Sequence, residues 1–118
     1  MKQVLRPLMH DGRPCGVSVV VASNFVARAV GLLGQAALPE GQGLWIAPCA
    51  SVHTFAMRFA IDVVMLDPTG GIVSLAADLR PWRLGPRGAQ GGVAVELASG
   101  TIKHLQLLVG DRLTLGDP

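Results

Sequence analysis

Apolar positions recur at period two in one stretch of this chain and form short apolar runs between turn residues in others. Val17, Val19 and Val21 share a face with Cys15 at period two, which predicts a strand over 15–22. A weaker apolar run, 4–9, precedes it, and Asp11-Gly12-Arg13 with Pro14 reads as a hairpin turn between the two. Ser23 then reads as a helix N-cap, with Phe25, Val26, Ala29, Val30 and Leu33 at helical spacing and Gly31 and Gly34 closing the segment. A loop over 38–43 leads into a short strand, 44–47, that stops at Pro48. The run 61–66 is the clearest strand, joined through the turn 67–71 to a second at 72–76. A long Gly- and Pro-rich stretch, 78–92, is expected to be a functional or mobile loop. Strands at 93–97 and 112–115 follow, with a helical turn after Thr101 between them. Short strands, Gly- and Pro-rich turns and one or two short helices predict a mainly β fold: a small single-domain sandwich or distorted barrel over residues 1–118.

Composition sharpens this picture. Half of the 118 residues are hydrophobic and 15% are charged, which excludes a disordered chain. The net charge of +2 is too mild for a nucleic-acid coat, and no apolar run approaches the ~18 residues of a membrane span. Eight of the ten basic residues are Arg, a bias that a GC-rich coding sequence produces without any functional demand. Two cysteines, Cys15 and Cys49, make no disulfide framework and are expected as reduced thiols. Residues 1–7 carry no apolar leader, so a cytoplasmic location is expected, or an exported one if a leader has been removed.

Polar groups on apolar strands are the candidates for chemistry. Asp62 interrupts a run that is apolar on both faces; such a carboxylate must be paired with Arg28 or Arg58, capped by backbone N–H groups, or part of a site. Glu96 lies on the face of Ala94 and Ala98, where small neighbours leave room for a ligand or for an Arg side chain. His53 alternates with Phe55 and Met57 and is either a packed core residue or an acid–base group. Nucleophile pairs fit poorly: in a strand, residues two apart have Cβ atoms about 6.6 Å apart, and Cys49 and His53 would be about 13 Å apart. His10 and His104 stand alone in the sequence, so no metal and no cofactor is expected. The loop with Arg80, Trp82, Arg83 and Arg87 offers an anion or stacking site, or else Trp82 folds back on the core.

Several stretches together resemble one family. They are Arg28-x-x-Gly31-Leu32-Leu33-Gly34; Leu38-Pro39-x-Gly41-x-Gly43-Leu44; His53-Thr54-x-x-Met57-Arg58-Phe59-x-Ile61-Asp62-Val63-Val64; Glu96-Leu97-x-x-Gly100; and Gly110-Asp111-x-Leu113. In order and spacing, over about residues 17 to 115, the chain is similar to the bacterial and archaeal domain of unknown function 192. The resemblance implies a small, mainly β domain with a sandwich-like core and names no activity. Family members carry a Met followed by a basic or polar residue ahead of an Asp-bearing strand, which Met57-Arg58 and Asp62 match, with Phe55 near the family's Trp or Phe.

Two functions are compatible with these observations. In one, a pocket for a small or anionic ligand has His53, Asp62 and Glu96 as catalytic groups and Arg28, Thr54, Arg58 and Trp82 as binding groups. Whether such a pocket is enzymatic stays open. In the other, the polar cluster is a structural network and an apolar surface binds a protein partner or a second copy, a homodimer suggested by a mean hydropathy of +0.46. Nucleic acid and membrane are not expected as partners.

Overall fold

The computed structural model describes residues 5–23, 37–55 and 57–118. Among these residues seven strands and one short helix follow in order: β1 Leu5–His10, β2 Arg13–Ala22, β3 Gln42–Ile46, β4 Ile61–Leu66, β5 Ile72–Leu79, β6 Val93–Ala98, α1 Thr101–Leu105 and β7 Leu113–Leu115. They form one mixed sheet in the order β5-β4-β6-β3-β2-β1-β7. Only the β2–β3 pair is parallel. The expected helix from Ser23 to Gly34, and with it Arg28, falls outside the described residues after Ser23.

Strands β4 and β6 run through the centre of the sheet, and all twelve of their residues are buried. This is why neither shows strict alternation in sequence: both faces are covered. On one face Val17, Val19, Val64, Leu66, Val95 and Leu97 pack with Leu8, Ile102, Leu107 and Leu113. On the other, Ile46, Ile61, Val63, Met65 and Ala94 are covered by Cys49, Val52 and Met57. Each such side chain, fully buried, contributes about 1.5–3 kcal/mol relative to exposure.

The outer strands nearly meet. A bridge joins Gly71 to Arg112, and the Leu113 N–H donates to the Gly70 carbonyl (2.9 Å) and the Ile72 N–H to that of Asp111 (2.8 Å). Gly70 is needed there: its φ is +96°, and a Cβ would stand 2.6 Å from the Leu113 carbonyl oxygen. The contact is confined to one corner, so the sheet coils without closing into a barrel.

Several expected boundaries shift. The first hairpin has a two-residue turn, Asp11-Gly12, with φ of +50° and +83°, because Arg13 already pairs with His10 in the ladder. Strand β5 continues to Leu79, since its later residues still pair with β4. Val21 is 46% exposed whereas Val17 and Val19 are buried, because β2 outruns the core.

Candidate functional site

The segment 49–54 and the long loop 82–92 are laced into a ribbon by backbone hydrogen bonds. Cys49 N–H donates to Gly92, Gly88 to Ala50, Gly85 to Val52 and Thr54 to Arg83, at 2.9–3.0 Å. Gly85 is required by close approach, since a Cβ would lie 2.4 Å from a Val52 methyl carbon. The loop is thus tied down over its length by main-chain pairing.

Thr54 anchors the far end of this ribbon and is fully buried. Its hydroxyl accepts from the Arg83 N–H (2.9 Å) and donates to the Arg80 carbonyl (2.6 Å), while its own carbonyl accepts from the Trp82 N–H (2.9 Å). The residue so enclosed, Trp82, has φ of +64°. Left-handed backbone costs a bulky side chain about 1–2 kcal/mol and persists only where its surroundings enforce it. The product is an indole 63% exposed to solvent. Trp82 therefore does not fold back on the core. Its ring stacks on Phe55 at 5.9 Å between centroids, and Phe55 stacks on His53 at 4.6 Å. Phe55 is 43% exposed and neighbouring Leu84 75% exposed. The His53 Nδ1 accepts from the Phe55 N–H at 3.3 Å, which holds the imidazole in the stack.

Arg58, Arg80, Arg83 and Arg87 are exposed near this ledge in sequence, and among the described residues none lies within ion-pair distance of a carboxylate. Arg83 reaches back weakly to the Trp82 carbonyl at 3.5 Å.

The two buried carboxylates lie elsewhere. Val63 stands directly opposite Glu96 in the β4–β6 ladder, and Asp62 opposite Leu97. Directly opposed residues share a face and successive residues alternate, so Asp62 and Glu96 project to opposite sides of the sheet. Both are fully buried. Asp62 sits where β5 bulges, between the pairs Ile61–Leu79 and Val63–Ala76. Its Oδ1 accepts the Asp78 N–H, freed from the ladder by that bulge, and its Oδ2 accepts the Ile102 N–H in the first turn of α1, both at 2.8 Å. Of the arrangements open to Asp62, capping by backbone N–H groups is the one adopted.

A cleft of about 640 Å³ opens on another part of the surface, between Cys15, Glu40 and Phe59 and the segment 98–105 with His104. None of His53, Thr54, Arg58, Asp62, Trp82 or Glu96 lines it. Burial pushes the Cys15 thiol up, and its Sγ donates to the Leu8 carbonyl at 3.3 Å.

Of the expected site residues, then, His53, Thr54 and Trp82 come together, with Phe55 between the two rings. Arg58 is exposed three positions beyond Phe55. Phe55 is legible as an alternating partner of His53 and as standing near the family's Trp or Phe; its contact with Trp82, 27 positions away in the chain, leaves no local trace.

The architecture is that of a single-sheet, mainly β domain carrying an exposed aromatic ledge. The chain belongs to the DUF192 family, described as an uncharacterized ACR, which it matches over residues 7–115. It is 35% identical over 107 residues to a UPF0127 protein of Pyrococcus furiosus, covering 86% of this chain and 90% of the relative. A UPF0127 protein of Pyrococcus abyssi is 32% identical over 100 residues, covering 80% and 83%. Among solved structures, a Sinorhizobium meliloti protein provisionally described as a transcription regulator superposes with a TM-score of 0.77 at 18% identity, over 98% of this chain and 96% of that one. A protein of unknown function from Novosphingobium aromaticivorans gives 0.77 at 15% identity, over 95% and 84%. Likeness at these identities shows the shared fold. Among the described residues no helix is long and apolar enough to cross a membrane.

Proposed function

We propose that the ledge of His53, Phe55 and Trp82 binds a small ligand that has a flat ring and carries negative charge. The observation that supports this is the Thr54 clamp: a buried side chain and its backbone hold a bulky residue in left-handed conformation while leaving its ring in solvent. Stacking a ring on such an aromatic contributes about 1–3 kcal/mol. Arg80, Arg83 and Arg58 supply guanidinium groups for the charge, and an Arg fork matches a carboxylate or phosphate in two-point contact. Thr54 acts as a positioning residue. No catalytic step is assigned: Asp62 has both oxygens engaged by backbone, and Glu96 points to the opposite face from Asp62.

The test uses nucleoside monophosphates as flat-ring anions, with inorganic phosphate and uncharged nucleosides as controls. In a Trp45→Phe background the fluorescence reports Trp82 alone. Saturable quenching by the monophosphate, weaker for either control and lost in Trp82→Ala, is the expected result. Quenching that is unchanged by Arg83→Ala and Arg80→Ala would remove the anionic part of the reading, and absence of any saturable response would remove the reading itself. Exposed Leu84, Phe55 and Trp82 could also seat a second copy of the chain. Light scattering separates the two: a mass that doubles with concentration and reverts in Trp82→Ala would place a homodimer contact on the ledge.

A further inference from the structure

At the corner where β1 turns into β2 and the chain approaches β7, three metal-ligating side chains meet. His10 Nε2 lies 2.9 Å from Asp111 Oδ2 and 3.6 Å from Asp11 Oδ2, and the three donor atoms are all within 4.8 Å of one another. We propose that His10, Asp11 and Asp111 form a binding site for a divalent first-row transition-metal ion, independent of the aromatic ledge.

Three features support this. The first is spacing. Zinc ligated by nitrogen and oxygen at about 2.0–2.2 Å places neighbouring donors roughly 3.0–3.5 Å apart. The two distances involving His10 bracket that range, and the third pair of donor atoms lies within 4.8 Å.

The second is rigidity. Asp11 and Asp111 are fixed by the backbone rather than carried on free side chains. The Asp11 N–H donates to the Arg112 carbonyl and the Arg112 N–H to Asp11 Oδ1, both at 2.9 Å. The Leu108 N–H donates to Asp111 Oδ2 at 3.1 Å and the Asp111 N–H to the Leu108 carbonyl at 3.0 Å. His10 ends β1, where it pairs with Leu113 of β7, two residues beyond Asp111. A site assembled this way has little ordering left to do when the ion arrives.

The third is charge. Among the described residues, neither carboxylate is within ion-pair distance of a Lys or Arg; the imidazole is their shared neighbour. Two carboxylates converge there beside one imidazole, and a divalent cation seated between them would supply the counter-charge. One imidazole and two carboxylates suit Zn²⁺, Co²⁺ or Mn²⁺, with the remaining positions taken by water. The ion would fasten the first hairpin to the last strand. The site is invisible in sequence because His10 and Asp111 are 101 residues apart.

Isothermal titration of EDTA-treated protein with ZnCl₂ at pH 7.5 tests it, together with thermal unfolding. One ion per chain and a rise in Tm of roughly 8–14 °C at a hundredfold excess over Kd are expected. His10→Ala should weaken binding at least tenfold. Asp11→Asn should do so as well while keeping the Oδ1 that receives the Arg112 N–H, so that a folding defect in His10→Ala cannot decide the outcome. Zinc-induced shifts in histidine ring NMR signals should fall on His10 and leave His53 and His104 in place. No binding of Zn²⁺, Co²⁺ or Mn²⁺ by the native chain, or binding that survives both substitutions, overturns the proposal and leaves an ordinary His–Asp contact.

Discussion

Asp62→Ala removes the acceptor of two backbone N–H groups that the structure holds in its interior. Hydrogen bonds to a charged group contribute about 1.5–3 kcal/mol each, so losing both costs roughly 3–6 kcal/mol. Neither donor has an obvious substitute: Asp78 N–H lies at the bulge of β5 and Ile102 N–H in the first turn of α1. For a chain of this length, each kcal/mol moves Tm by roughly 3–5 °C, which gives a fall on the order of 10–30 °C. Since domains of this size are stable by about 5–15 kcal/mol, the variant would stand near the edge of folding. Asp62→Asn keeps the volume and one acceptor but turns an NH₂ toward the other N–H, and should lie between the two. Urea unfolding followed by circular dichroism gives the numbers, with the slope checked for constancy so that the midpoint reports native stability. A loss for Asp62→Ala within about 1 kcal/mol of wild type would refute this reasoning, because that is the behaviour of a side chain not committed to the fold.

Three further outcomes follow from the same structure. Thr54→Val removes the hydroxyl that joins Arg80 to Arg83, and should cost about 1–3 kcal/mol and alter the near-ultraviolet circular dichroism of Trp82; an unchanged aromatic spectrum would contradict the clamp. The Thr69 hydroxyl, and after it the Gly71 N–H, hold the Asp67 carboxyl below its usual range. Asp67 therefore contributes stability above the unfolded value of about 3.9 and loses it as pH falls through the lower folded value. The stability gap between wild type and Asp67→Asn, measured by urea midpoints, should be present at pH 7 and shrink as pH falls below about 3.9; a gap independent of pH would contradict it. Burial raises the Cys15 thiol, so its contribution is complete below the unfolded value and lost as pH rises through the higher folded one. Alkylation of Cys15 in the native protein, followed by mass spectrometry, should reach half its limiting rate above pH ~8.5, and a midpoint at or below that value would contradict burial.

What could be read from the sequence divides along physical lines. Strands β4 and β6 are visible because hydrophobic runs bounded by turn residues are a local signal, and all twelve residues are indeed buried. The Asp11-Gly12 hairpin is visible for the same reason, although its register is settled only by the His10–Arg13 pair. Asp62 was conspicuous as a carboxylate in an apolar run, but its partners are main-chain groups 16 and 40 positions away, which no side-chain pattern reveals. Alternation alone does place Asp62 and Glu96 on their strands; it takes the register between the strands, Val63 against Glu96, to show that they face apart. Trp82 shows the limit most clearly. Its exposure depends on the left-handed turn enforced by Thr54, whereas an apolar side chain in a loop is by composition expected to turn inward.

The display of Trp82 for ligand binding is tested most directly by NMR, following the backbone amides and the indole N–H as a nucleoside monophosphate is added. Saturable shifts concentrated on His53, Phe55, Trp82 and Arg83 are the predicted result. Shifts gathered instead around Cys15, Glu40 and His104, the residues of the separate cleft, or no saturable shift anywhere, would contradict it.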